Sequence, residues 1–280
     1  MPSYAITGAS RGLGFEFVRQ LSQTPGNVVI GLVRNKATAD LKVQAQGLQN
    51  VHIIEVDYTD LPSLKKAAEE VKGLTGGGLD YLINNAALVS HISSSKTLAD
   101  FPDSNISLNN SDNDFSTMEK DLRDSFDINV LGVIKTINAF LPLIKKGTVK
   151  KVITISSGMA DLELINDLEI PVGAPYSISK GAVNVAMAKY NAVFKQEGIL
   201  FLSISPGMVA TERATEEVSE EEKEGFGNLA AKFAAYAPDF KRPLTPEESV
   251  KAVLSVVEKA SVQGGYGGQF ISHLGTKKWL

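Results

Sequence analysis

Two rhythms of apolar residues run along this chain. Short β-branched or aliphatic runs occur at Ser3–Thr7, Asn27–Val33, Val51–Val56, Leu79–Asn84, Lys151–Ser156, Ile199–Ser205 and Gly267–Ser272. They are apolar on both faces, which marks buried strands rather than half-solvated ones. Between them the spacing becomes helical. Leu13, Phe17, Val18 and Leu21 repeat this way within residues 12–24. Further helices are predicted over 36–48, 61–74 with Asp60 as N-cap, 118–145, Ala174–Gln196 and 246–260. Strand and helix alternate strictly, so the expected fold is α/β, a doubly wound parallel sheet of about seven strands with helices on both faces. Right-handed crossovers leave few topologies. No repeat or linker divides the chain, and residues 1–280 read as one domain.

Two segments break the rhythm. Residues 88–117 are rich in Ser, Asn and Asp and read as a long surface insertion, mobile at its tip. Residues 212–244 hold the acidic run Glu216–Glu224, then Phe226, Phe233 and Tyr236 among alanines and glycines. That composition suits a partly helical lid over a substrate, at about 212–244; an ordinary solvated helix is the competing reading.

Composition narrows the chemistry. The chain has 280 residues, 43% of them apolar, enough for a sizeable core, and a net charge of −4. Its Lys and Arg are dispersed, so no nucleic-acid footprint is expected. Cysteine is absent, which excludes disulfides, thiolate nucleophiles and Cys-based metal sites. His52, His91 and His273 share no helical face and read as surface or loop residues, so no metal site is expected. No apolar run reaches the ~18–20 residues that span a bilayer. Met1–Gly8 enters a strand directly, without the regions of a signal peptide, and a cytoplasmic location is expected.

The candidate chemistry begins at Thr7-Gly8-Ala9-Ser10-Arg11-Gly12-Leu13-Gly14, between the first strand and the first helix. Glycines there permit a tight turn and let backbone N–H groups at a helix N-terminus approach a pyrophosphate. An acid about 20 residues further on would hold the ribose hydroxyls and repel a 2′-phosphate. That place holds Arg34, followed by Asn35 and Lys36. A guanidinium can clamp a phosphate through paired donors, and Arg11 could reach the same group. NADP(H) is therefore expected in preference to NAD(H). Further along stands Tyr176-Ser-Ile-Ser-Lys180, where i and i+4 share a helical face. An ammonium there favours the phenolate, moving a group with an ordinary pKa near 10 toward the working pH.

The TGxxxGxG spacing, YxxxK and their order along the chain resemble the short-chain dehydrogenase/reductase family, whose fold is of the Rossmann type. The resemblance spans Tyr4 to about Phe270. It implies that Gly8, Ser10, Arg11, Gly12, Leu13 and Gly14 cradle the nucleotide, with Arg34 at its 2′-phosphate and Asp57 beside the adenine. Asn85, in Asn84-Asn85-Ala86-Ala87, matches the family's NNAG with alanine for the last glycine. The resemblance further implies that Ser157 holds the substrate carbonyl oxygen, with Ser156 as the fallback. Asn129 would help hold Lys180 and a water relay, and Tyr176 and Lys180 would complete the catalytic set and touch the cofactor. In Ser205-Pro206-Gly207-Met208-Val209-Ala210-Thr211, the residues Pro206, Gly207, Val209 and Thr211 would meet the nicotinamide carboxamide. The chain also departs from the family. Ser157 and Tyr176 stand further apart than is usual, the excess lying in Gly158–Gly173, and residues 88–117 widen the gap before Asn129.

The implied activity is NADPH-dependent reduction of a ketone or aldehyde of a small apolar molecule. The alternative is non-redox chemistry (epimerase, dehydratase or cyclase) with a retained cofactor. A non-catalytic binding protein would be expected to lack Tyr176 or Lys180, and both are present. A small-molecule carbonyl or alcohol is the expected partner, with a homodimer or homotetramer by analogy and no membrane.

Overall fold

A computed structural model describes residues 1–101, 115–210, 227, 231–234, 236–238 and 240–280. Its strands are β1 (Ser3–Thr7), β2 (Val28–Val33), β3 (Val51–Glu55), β4 (Tyr81–Asn84), β5 (Lys151–Ile155), β6 (Leu200–Ser205) and β7 (Phe270–Ser272). All pair in parallel, in the order β3-β2-β1-β4-β5-β6-β7. The order reverses between β1 and β4, which opens a crevice at the carboxyl ends of the strands, where such sheets bind ligands.

The helices are α1 (Gly12–Ser22), α2 (Lys36–Ala45), α3 (Leu61–Thr75), α4 (Phe115–Phe126), α5 (Gly132–Lys146), α6 (Leu162–Asp167), α7 (Ala174–Phe194) and α8 (Pro246–Lys259). Their ends follow from local chemistry. Asp60 caps α3 by accepting from Ser63 N–H, Pro62 lies in the first turn, and Gly76 closes the helix in the left-handed region. Thr245 and Glu248 form a capping box on α8, which starts at Pro246.

Each face of the sheet has its own core. Phe17, Val18 and Leu21 of α1 pack with Val250, Val253 and Val257 of α8 on one face. Leu64 of α3, Phe140 and Ile144 of α5, and Val183 and Met187 of α7 pack on the other. Burying a side chain such as Phe140 contributes about 1.5–3 kcal/mol, and this pair of layers holds the strand ends in place.

The helix expected over 118–145 contains a π-helical turn, Asp127–Leu131, between α4 and α5. Over its full course, Phe115–Lys146, it is long and apolar enough to cross a bilayer, although no single apolar run showed this. Half of its most apolar stretch is instead buried in the fold, as in a core helix. His273 differs from expectation. It lies in the turn after β7 but is buried, and burial lowers its pKa, which disfavours the imidazolium.

Candidate active site

Backbone builds the glycine loop. Gly8 and Gly12 take positive φ of 66° and 54°, which other residues adopt only with strain. A Cβ on Gly14 would lie 2.1 Å from the Gly8 carbonyl oxygen, so α1 can start this close to the loop only with glycine. A Cβ on Gly8 would lie 2.9 Å from Ala86 Cα. Gly12, by contrast, faces open space. Arg11 is the N-cap of α1 in extended conformation, so the first N–H groups of the helix have no partners within it. These observations fit a nucleotide pyrophosphate: an open floor of glycine, orphan donors and no acid in the first helical turn.

Side chains behind the loop hold its shape. The buried Tyr58 hydroxyl accepts from Gly8 N–H at 2.8 Å and donates to the Leu32 carbonyl. Burial raises its pKa, which keeps the phenol neutral and able to do both. Thr7 Oγ1 accepts from the N–H groups of Asn85 and Ala86 at 2.9 and 3.0 Å. Asn85 Nδ2 donates back to the carbonyls of Thr7 and Gly8. Asn85 thus locks the β1 and β4 loops together, and Ala87 is exposed beyond it. Ser10 presents its carbonyl to Lys42 Nζ at 3.3 Å, and Leu13 packs against the core.

Arg34 is exposed at the end of β2, and Arg11 is exposed in the glycine loop. Lys36 starts α2, its Nζ donating to the Ile53 carbonyl and lying 3.7 Å from Asp40. Asp57 is exposed just past β3. The Thr59 hydroxyl and N–H, with a smaller contribution from Arg34, hold its carboxyl below the usual range.

Across the crevice, β5 runs into Ser156 and Ser157. Ser156 is buried, whereas Ser157 is partly open, which favours Ser157 as the reactive hydroxyl. Ser157 caps the short 3-10 turn Gly158–Ala160, its Oγ accepting from Met159 N–H at 3.2 Å. Gly158 N–H donates to Ser205 Oγ at 3.0 Å, which ties this turn to the end of β6. The turn packs against α7, which carries Tyr176 and Lys180.

Lys180 is buried and donates to the Ile155 carbonyl at 2.7 Å. Its Nζ lies 5.7 Å from the centre of the Tyr176 ring. Burial lowers its pKa to about 8. Asn129 sits in the π turn, a distortion frequent at functional sites. Its Nδ2 donates to the Leu88 carbonyl and to Ser179 Oγ, both at 2.9 Å, and its Oδ1 accepts from Leu88 N–H. Ser179 in turn donates to the Tyr176 carbonyl at 2.7 Å. Asn129 therefore reaches α7 through Ser179, with no direct bond to Lys180 among the described residues.

At the β6 end, Ser249 Oγ donates to the Pro206 carbonyl and Val209 bridges Leu244. Gly207 has φ 80°, and a Cβ there would lie 2.8 Å from the His273 ring. Thr211, the acidic run Glu216–Glu224 and Phe226 lie outside the described residues, as does 102–114 of the insertion. Of the other lid aromatics, Phe233 is buried and Tyr236 packs beside it.

The widened segments meet one another. Gly173, the N-cap of α7, donates to the carbonyls of Ser93 and Lys96, and Thr97 bridges Val172. Residues 88–101 are thus braced against the loop between Ser157 and Tyr176. Sequence reading missed Tyr58, Ser179 and Ser205. Only Ser179, three positions after Tyr176 on the same helical face, had a local signal.

Comparison with known proteins agrees with this architecture. Residues 3–222 match the family described as short chain dehydrogenase. The chain is 48% identical over 282 residues to the short chain dehydrogenase virK of Hypocrea virens, with both proteins covered in full. It is also 48% identical over 281 residues to the short-chain dehydrogenase/reductase AacuF of Aspergillus aculeatus, again with full coverage of both. Among solved structures, an NADPH-bound carbonyl reductase from chicken fatty liver shares the fold with a TM-score of 0.73 at 24% identity, over 99% of this chain and 98% of that one. By family match and by identity, the chain belongs to the short-chain dehydrogenase/reductase family of oxidoreductases.

Proposed function

We propose that this enzyme reduces the carbonyl of a small apolar ketone or aldehyde with NADPH. The observation that carries the reading is the packing of the turn after β5 against α7, which brings three groups into one neighbourhood. These are a partly open Ser157 on the turn after β5, Tyr176 on the adjoining α7, and a buried Lys180 beside the tyrosine ring.

Ser157 Oγ already accepts from Met159 N–H, which leaves its own O–H to donate to a carbonyl oxygen. Tyr176 donates its phenolic proton to that oxygen as carbon is reduced. The Lys180 ammonium stabilises the phenolate left behind and, with one N–H held by the Ile155 carbonyl, keeps two further donors for a ribose. The chemistry that a nicotinamide would supply when held there is a hydride for the carbonyl carbon. Gly8, Ser10, Arg11, Gly12, Leu13 and Gly14 would hold the pyrophosphate, Arg34 the 2′-phosphate, Asp57 the adenine side, and Pro206, Gly207 and Val209 the carboxamide. The cation at Arg34, where an acid would favour NAD(H), supports NADP(H).

Exposed Phe126 and Leu131, with Ile178, Val185 and Val193 on α7, support a homodimer or homotetramer. The test of the activity is NADPH oxidation with a panel of aliphatic and aromatic ketones and aldehydes, in wild type and Tyr176→Phe. Turnover in wild type that falls about 10²–10⁴-fold in the variant is the expected result. Equal rates in both would overturn the assignment.

A further inference from the structure

Trp279, the only tryptophan in the chain, is 3% exposed although it lies well past the last strand. It stacks on Phe270 of β7, with ring centres 4.4 Å apart. Its Cβ and Cγ press on Gly158, the residue after Ser157, so closely that a Cβ on Gly158 would lie 3.0 and 3.2 Å from them. Beside it, Lys277 Nζ sits over both aromatic rings, at 5.3 and 5.4 Å, and 3.5 Å from the Asp161 carboxylate. Asp161 caps α6 and closes the turn that Ser157 opens. Around the indole pack Leu164, Ile170 and Phe233, with Met159 and Met208 at the margin.

Of these contacts, those to Gly158, Met159, Asp161 and Leu164 fall on the serine end of the enlarged 158–173 loop. The tyrosine end is held separately, by Ser93 and Lys96. The loop is therefore clamped at both ends by segments distant in sequence, and Trp279 is the clamp on Gly158, the residue that follows Ser157.

We propose that Trp279 is a positioning residue: packed against Gly158 and tied through Lys277 to Asp161, it fixes the Ser157–Asp161 turn so that the Ser157 hydroxyl stays aimed at the substrate carbonyl. The proposal rests on the carbonyl-reductase reading for its catalytic consequence. Its structural half stands apart from that reading. Without the indole, the Ser157 turn loses the ring packed against Gly158, and the hydroxyl loses its fixed direction.

The experiment combines amide hydrogen exchange with kinetics on the full chain, comparing wild type, Trp279→Ala, Trp279→Phe, Ser157→Ala and the Ser157→Ala/Trp279→Ala double variant. Acetophenone and 2-acetylnaphthalene serve as substrates. Trp279→Ala is expected to speed exchange at residues 158–161 while β5 and α7 keep their protection. Its kcat is expected to fall about tenfold to hundredfold, with NADPH affinity unchanged. Trp279→Phe, which retains an aromatic ring against Gly158 and Phe270, is expected to restore most of that loss and guards against a misfolded alanine variant. In the Ser157→Ala background the Trp279→Ala effect is expected to vanish, because the indole acts through that hydroxyl. Unchanged exchange at 158–161, or an equal kcat loss with and without Ser157, would overturn the proposal. A wild type that reduces neither ketone would instead count against the functional reading for these substrates, while exchange alone still decides whether Trp279 holds the turn.

Discussion

The crevice is lined by two regions built in different ways. On the β1–β4 side, backbone does the work: glycines at 8 and 14 bring helix and loop within van der Waals limits, Gly12 supplies a positive φ, and a few buried hydroxyls hold them. On the β5–β7 side, four distant segments gather around one loop: the backbone carbonyls of Ser93 and Lys96, and the side chains of Phe233, Phe270 and Trp279. The first construction tolerates almost no added atom but is compact in sequence. The second tolerates change in shape, since apolar contacts are non-directional, but needs the whole fold to assemble it. Such a division suits an enzyme whose nucleotide is constant and whose substrate is particular to it.

If this contrast is right, the largest effect comes from adding one methyl group on the nucleotide side. Gly14→Ala must displace the Gly8 carbonyl or α1. It is expected to abolish nucleotide binding by calorimetry and to cost about 1–3 kcal/mol in thermal unfolding. Gly12→Ala meets open space and only a strained φ of 54°, so its cost should be smaller, about 1–2 kcal/mol. Equal behaviour of the two variants would break the claim that close approach sets the glycine pattern.

The next effect belongs to Lys180. Burial lowers its pKa to about 8, so the ammonium is present below that pH and is lost as pH rises through it. Because the proposed reduction needs both this charge and a protonated Tyr176, kcat/KM for reduction, which reports the free enzyme, should be level below pH 8 and decline above it. A rate that climbs from pH 8 to 10 would contradict the role given to Lys180.

Tyr58→Phe sharpens the comparison in a smaller way. It leaves Gly8 N–H and the Leu32 carbonyl without their shared hydroxyl. A loss of about 1–3 kcal/mol in stability and weaker binding of both NADPH and NADH are expected. Arg34→Ala should do the least: about tenfold weaker NADPH binding, with NADH binding and the unfolding midpoint unchanged. An equal loss for both nucleotides would place Arg34 outside the 2′-phosphate site.

The same contrast explains what could be read from the chain. The alternation of strands and helices is legible because each element's pattern is local, and Asp60 caps α3 as its position implies, whereas α6, within the stretch read as a loop, and the π turn are not. The glycine loop and Tyr176–Lys180 are legible for the same reason: each is a few residues long and acts through backbone or through one helical turn. Tyr58, Ser205 and Trp279 were not legible. Their partners are Gly8, Gly158 and again Gly158, at 50, 47 and 121 positions' distance, and only the folded sheet brings them together. The burial of His273 was hidden likewise, since its place against Gly207 depends on β6 and β7 pairing.

The most direct test of the central claim is isotopic. NADPH carrying deuterium at the transferable position is incubated with the enzyme and a ketone that it turns over, and the product alcohol is analysed by mass spectrometry. One deuterium on the carbinol carbon for each NADPH consumed is the expected result, and Tyr176→Phe should suppress it. Product formed while the label stays on an unconsumed cofactor would contradict net hydride transfer and establish the non-redox alternative.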